Sequence, residues 1–191
     1  MSAPSVPPLD LLGPATPAVG AFAVTLVVTP LVMALAPRIG AVDRPKAERW
    51  HSRETPLLGG IALTAGMLAA ILIGGGVTPA TLATAAGILL LHMVGLIDDV
   101  RGVRPSNKLI AQTVAAGILL LGGVRAGWPE DAILSVPLTV FWVLGITNAL
   151  NLLDNMDGLA GGIAGISGLA IAGCLWSFDF GDAAIVVSLA V

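Results

Sequence analysis

Six stretches of the chain are predominantly apolar: 18–37, 57–75, 81–97, 109–124, 132–153 and 159–176. None of them contains Asp, Glu, Lys or Arg; every formal charge falls outside them. An α-helix needs about 20 apolar residues to cross the ~30 Å hydrocarbon core of a bilayer. A helix that is apolar on every side has no face to offer water, so a soluble bundle does not account for the pattern. The pattern predicts an all-α, polytopic transmembrane helix bundle with six complete spans. A further apolar run begins at Ala183 and reaches Val191, the last residue. At ~1.5 Å per residue it covers less than half a bilayer. The expected organisation is therefore a leader, 1–17, and an incomplete transmembrane domain, 18–191, whose seventh helix is cut short.

Composition gives the same class. Of 191 residues, 56% are hydrophobic and 11% charged, where a soluble domain carries ~25% charged residues. The net charge of −3 leaves no basic footprint for nucleic acid. The single cysteine, Cys174, excludes a disulfide scaffold and a cysteine-based zinc site. The leader, MSAPSVPPLDLLGPATP, has no Lys or Arg, so it lacks the basic start of a signal peptide.

Charge placement predicts the orientation. Arg38, Arg44, Lys46, Arg49 and Arg53 lie between the first and second stretches; Arg101, Arg104 and Lys108 lie between the third and fourth. Arg125 alone falls in an opposite-side connection. The positive-inside rule puts the first two groups in the cytoplasm, the N-terminus outside, and the Asn/Asp-rich segment after the fifth helix on the cytoplasmic face. Gly158 with Gly162, and Gly161 with Gly165, are spaced four apart, as in closely approaching membrane helices. Pro30 is expected to kink the first helix.

Three segments on that face carry candidate chemistry. The first reads DRPKAERWHSRETPLLGG, with Asp43, Arg49 and His51 leading to Gly59 and Gly60 at a helix start. Cations explain a positive-inside anchor; the glycine pair before a helix adds the features of an anion site, where free N–H groups and the helix dipole favour phosphate. The second reads GLIDDVRGVRPSNK. Asp98 and Asp99 stand at a helix C-terminus, already the negative end of the dipole, and repel each other. A divalent cation or nearby basic groups would relieve both costs. Lys108, at the start of the next helix, is a candidate phosphate ligand. The third reads NALNLLDNMDGLAGG. Asn148, Asn151 and Asn155 share one helical face, and Asp154 and Asp157 follow. Amides set inside an apolar run are costly in lipid and need partners, either a site or one another. Oxygen donors of this kind suit Mg²⁺. Acids and amides for a metal, cations for anions and glycine-rich helix starts on one face fit phosphoryl transfer at a membrane surface.

The order D-x-P-x-x-x-R-x-H…P-x-x-G-G, then GLIDD, then N-A-x-N-x-x-D-x-x-D-G-L resembles the polyprenyl-phosphate N-acetylhexosamine-1-phosphate transferases, the glycosyltransferase 4 family. This superfamily includes the undecaprenyl-phosphate GlcNAc-1-phosphate transferases and the phospho-MurNAc-pentapeptide translocases. The resemblance implies a multi-pass enzyme of the cell membrane with a cytoplasmic active site. A polyprenyl phosphate takes sugar-1-phosphate from a UDP-sugar, UMP leaves, and Mg²⁺ is required. By motif position, Asp98 and Asp99 are the implied catalytic acids and Asn151 a metal ligand. Lys108, Asn148, Asp154, Asp157, Asp43, Arg49, His51, Gly59 and Gly60 are the implied substrate-binding residues, with Asp157 near the uracil. The third motif, NLLDNMDG, is closer to the GlcNAc-1-phosphate branch, which initiates cell-envelope glycans, than to the translocases.

The family also has a G-D-x-G-S motif with a metal-ligating Asp and a His-rich cytoplasmic loop. Neither stands in this sequence, whose histidines are His51 and His92. The 191-residue chain is therefore expected to be inactive by itself. Sugar-phosphate transfer by that purified product would refute the expectation. A homodimer is compatible with this reading. Two other classes predict different features. A Mg²⁺-dependent membrane prenyltransferase would release pyrophosphate and has no use for the Arg/His/Gly-Gly loop. A transporter fragment would place its polar groups near the midplane in related halves, whereas here they gather at one face.

Overall fold

The computed structural model describes residues 16–43, 55–74, 76–126, 131–154 and 158–177. These form six α-helices: α1 (Thr16–Leu35), α2 (Gly59–Ile73), α3 (Pro79–Arg101), α4 (Pro105–Leu121), α5 (Ala132–Leu153) and α6 (Leu159–Ser177). Consecutive helices pack on one another along the chain, α1 and α2 most closely. The all-α expectation holds. The expected leader and the expected seventh helix lie outside the described residues, except that Thr16 and Pro17 already belong to α1.

Local chemistry explains the helix ends. Thr78 and Thr81 form a reciprocal capping box at the start of α3, with Pro79 next in the chain, where its missing N–H is no loss. Asp131 caps α5 by accepting the Ile133 N–H at 2.9 Å. Gly102, at φ 69°, ends α3 and donates its N–H to the Asp98 carbonyl at 2.8 Å. A short 3₁₀ turn, Ala36–Ile39, closes α1 and stops at Gly40, φ 73°. Such positive φ values favour glycine.

Two boundaries differ most from the hydropathy pattern. The apolar run ends at residue 97, yet α3 continues through Asp98 and Asp99 to Arg101; the next run starts at residue 109, yet α4 starts at Pro105 and includes Lys108. Apolarity marks where lipid begins, while a helix continues into the headgroup region as long as its backbone bonds are satisfied. As a result Asp98, Asp99 and Lys108 stand on helical turns rather than on a loop.

The first connection is organised by a small antiparallel ribbon, β1 (Val42–Asp43) against β2 (Thr55–Pro56), with Asp43 opposite Thr55. Leu57 adds a backbone bond to Ala41 at 3.0 Å. The segment between the two strands thus leaves and returns at one place, beside the start of α2. Arg49 and His51 lie in that segment, outside the described residues.

Small side chains fill the interior and large ones face out. Ala36, Ala62, Ala70, Ala115 and Ala116 are almost wholly buried, while Phe22, Leu72, Leu121 and Ile133 are mostly exposed. Soluble cores show the reverse; in lipid, small residues let backbones approach and large apolar ones meet acyl chains. Gly66 illustrates this: a methyl group there would collide with the Thr25 side chain and the Ala21 carbonyl of α1. By contrast, Gly158, Gly161, Gly162 and Gly165 have no neighbour within 4 Å of where a Cβ would stand, so among the described residues the spaced glycines of α6 meet no partner helix.

The chain is a helical membrane protein. Three of its helical segments, Thr16–Ile39, Pro79–Arg101 and Ala132–Leu153, are each long and apolar enough to cross a bilayer. α2 has 15 residues and α4 has 17; at ~1.5 Å per residue both fall short of the ~30 Å core.

Candidate functional site

The C-terminal ends of α3 and α5 and the N-terminal ends of α4 and α6 meet around a cleft of about 460 Å³. Its polar lining consists of Asp98, Lys108, Gln112, Thr147, Asn148, Asn151 and Asp154, and its walls include Leu63, Leu91, Val94, Leu150 and Ala164. Residues from the second and third motif segments thus share one concavity, although 56 positions separate Asp98 from Asp154.

Asp98 is held from two sides. Its Oδ1 accepts the Val103 N–H at 2.8 Å, and its Oδ2 receives the Lys108 ammonium at 2.5 Å. Each charge sits on the helix end of its own sign: the carboxylate at the negative C-terminus of α3, the ammonium in the first, positive turn of α4. Pairing relieves both. The cation–anion relief that the sequence demanded for Asp98 therefore comes from Lys108. Both side chains remain about 30% exposed, open to exchange for an ionic ligand. Asp99, one residue on and ~100° round the helix, is exposed and lies outside the cleft lining.

On α5, Asn148 and Asn151 both line the cleft, as their three-residue spacing predicts. Asp154 ends the helix, its N–H bonded to the Leu150 carbonyl at 3.0 Å, and it too faces the cleft. Asn155 and Asp157 lie outside the described residues. The amide of Asn148 is engaged: its Nδ2 donates to Gln112 Oε1 at 2.8 Å and to the Leu144 carbonyl at 2.8 Å. Interhelical bonding, the simpler account of an intramembrane asparagine, thus applies to Asn148.

Gln112 and Thr147 line the cleft but belong to none of the motif patterns; of the two, Gln112 is the more telling. It is buried, 6% exposed, and stands one turn beyond Lys108. The available signal was a lone amide inside the apolar run 109–124.

Gly59 and Gly60 open α2 but do not line the cleft. The two differ. A Cβ on Gly59 would meet open space, whereas one on Gly60 would stand 3.2 Å from Nδ1 and Cε1 of His92. His92 thus packs against the start of α2, and Gly60 is small because the imidazole is there.

Among the described residues, no group of three or more His, Cys, Asp or Glu side chains comes together as a metal cage. The cleft offers Asp98, Asp154 and the Asn151 amide, all oxygen donors. That set fits Mg²⁺, which keeps several waters and completes its shell with substrate phosphates.

The sequence profile described as "Glycosyl transferase family 4" matches residues 81–191. The chain is 33% identical over 142 residues to the probable undecaprenyl-phosphate N-acetylglucosaminyl 1-phosphate transferase of Bacillus subtilis, a match covering 66% of this chain and 38% of that protein. It is 32% identical over 152 residues to the decaprenyl-phosphate N-acetylglucosaminephosphotransferase of Mycolicibacterium smegmatis, covering 67% and 36%. With the phospho-N-acetylmuramoyl-pentapeptide-transferase of Heliobacterium modesticaldum it shares 29% identity over 157 residues, covering 69% and 49%. The matched region therefore spans about a third to a half of these relatives. No solved structure matches the chain at a significant level.

Proposed function

This chain belongs to glycosyl transferase family 4, and from that premise we propose that it carries part of the active site of a UDP-sugar:polyprenyl-phosphate sugar-1-phosphate transferase. The sugar is GlcNAc-1-phosphate, and the product initiates a cell-envelope glycan. The cleft faces the cytoplasm, in accord with the basic residues beside it. Two relatives named for GlcNAc transfer, at 33% and 32% identity, support the sugar, as does the NLLDNMDG motif.

The observation that carries the reading is the Asp98–Lys108 pair opening onto Asn151 and Asp154 in one cleft. Cation and anion sites side by side are what two anionic reactants require. In the reaction, an oxygen of the polyprenyl phosphate bonds to the β-phosphorus of the UDP-sugar. The bond from that phosphorus to the α–β bridging oxygen breaks, and UMP leaves with its electron pair. Lys108, at the positive end of α4, takes up phosphate charge. Of Asp98 and Asp99, one orients or deprotonates the lipid phosphate. By motif position Asp154 and Asp157 are assigned to the nucleotide, and Asp43, Arg49, His51, Gly59 and Gly60 to substrate binding. Bound Mg²⁺ would neutralise charge between the reactants, and Asn151 with the cleft carboxylates would hold it.

Membranes containing the complete enzyme that carries this chain, supplied with UDP-GlcNAc, undecaprenyl phosphate and Mg²⁺, should release UMP and form lipid-linked GlcNAc pyrophosphate. Release of pyrophosphate from a prenyl diphosphate instead would overturn the assignment. Faster turnover of UDP-MurNAc-pentapeptide would move it to the translocase branch.

A further inference from the structure

The Gln112–Asn148 pair lies one helical turn deeper than the groups proposed to act. Gln112 follows Lys108 by four residues on α4, and Asn148 precedes Asn151 by three on α5, so each amide shares a face with one cleft residue. Both hydrogens of the Asn148 amide are used, one by Gln112 and one by Leu144, which leaves none to donate to a substrate. The return contact, Gln112 Nε2 to Asn148 Oδ1, is long at 3.5 Å. On α4 itself the next buried residues are Ala115 and Ala116. A smooth surface of small apolar side chains sets no register in lipid, where no hydrophobic force acts between helices. A directional bond between two amides does, as a single buried Asn does in a coiled coil. The far end of the same helix pair is stitched separately, by the Ala126 N–H to Thr139 Oγ1 at 2.9 Å.

We propose that Gln112 is a positioning residue: its hydrogen bond with Asn148 sets the register of α4 against α5, and so the spacing of Lys108 from Asn151 across the cleft. This rests on the reading of the cleft as the transferase site. It assigns Asn148 to the support of that site rather than to substrate contact.

The test uses the whole protein with Gln112→Leu, Asn148→Leu, both together, and the exchange Gln112→Asn with Asn148→Gln. Two readouts are taken: the thermal midpoint in detergent, and the Mg²⁺ half-saturation of UMP release per folded molecule. Each single change should lower turnover roughly tenfold, since it strands a buried amide. It should also raise the Mg²⁺ half-saturation on the order of tenfold, as loss of a supporting partner does. The double Leu variant should be no worse than the poorer single one, and the exchange should recover most of both losses. Independent, additive losses would overturn the proposal. So would an unchanged Mg²⁺ requirement with only less folded protein. If the complete enzyme that carries this chain releases no UMP, the transferase reading fails, and the thermal cycle decides alone: coupled midpoints uphold the pairing of α4 with α5, and uncoupled midpoints overturn it.

Discussion

The two ends of the α3–α5 bundle both gather polar side chains, but they do so differently. At one end Thr81 closes a capping box with Thr78, and Thr139 accepts from Ala126 while donating to the Ser135 carbonyl at 2.7 Å. These groups are neutral and they satisfy nearby backbone. At the other end Asp98 and Lys108 are charged, lie on different helices, and line a cleft with Asn151 and Asp154. The first arrangement completes helix ends. The second places charge where the helix dipoles already oppose it, which is costly unless another ion shares it. The contrast separates polar residues that build a membrane fold from those that equip it.

The largest effect is expected at Asp98. Asp98→Asn keeps the shape and removes the charge, and UMP release should fall by about a thousandfold, as for loss of a group that meets transition-state charge. Retained turnover would erase the distinction between the two ends. Lys108→Met should follow, lowering kcat/KM on the order of a hundredfold, with Lys108→Arg recovering part of it. An unchanged rate in Lys108→Met would reduce the pair to a membrane-edge anchor. At the opposite end, Thr139→Val removes the acceptor for the Ala126 N–H and should cost about 1 kcal/mol in unfolding, while turnover per folded molecule stays as it was. A loss of turnover there would show the two ends to be coupled. The smallest effect concerns the glycine pair. Gly59→Ala, facing open space, should be neutral or stabilise by up to ~1 kcal/mol. Gly60→Ala, against His92, should be the less stable of the two in a thermal melt, and His92→Ala should remove the difference.

Much of the fold was legible in the chain. Each of the six apolar runs overlaps one of the six helices among the described residues, because lipid tolerates no unsatisfied backbone and a helix satisfies its own. The helix starts at Thr78 and Asp131 follow from side-chain oxygens that accept backbone N–H groups. The ends of α3 and the start of α4 were less legible, because hydropathy reports the hydrocarbon and not the helix. Asp98, Lys108, Asn151 and Asp154, which line the cleft, stand out in the sequence by their types and spacing. Gln112 does not, because a single amide in an apolar run does not reveal which helix it will meet.

Residue order alone settles membership in the membrane class, the helical segments, and which charges stand at unfavourable helix ends, since each depends on local polarity and periodicity. Which helix relieves which charge depends on packing between helices, some consecutive in the chain and others far apart. Only there did Asp98 find Lys108, Asn148 find Gln112, and His92 find Gly60. Small side chains let the helices come close enough for such pairs to form, and directional bonds then chose among the ways that smooth apolar surfaces can meet.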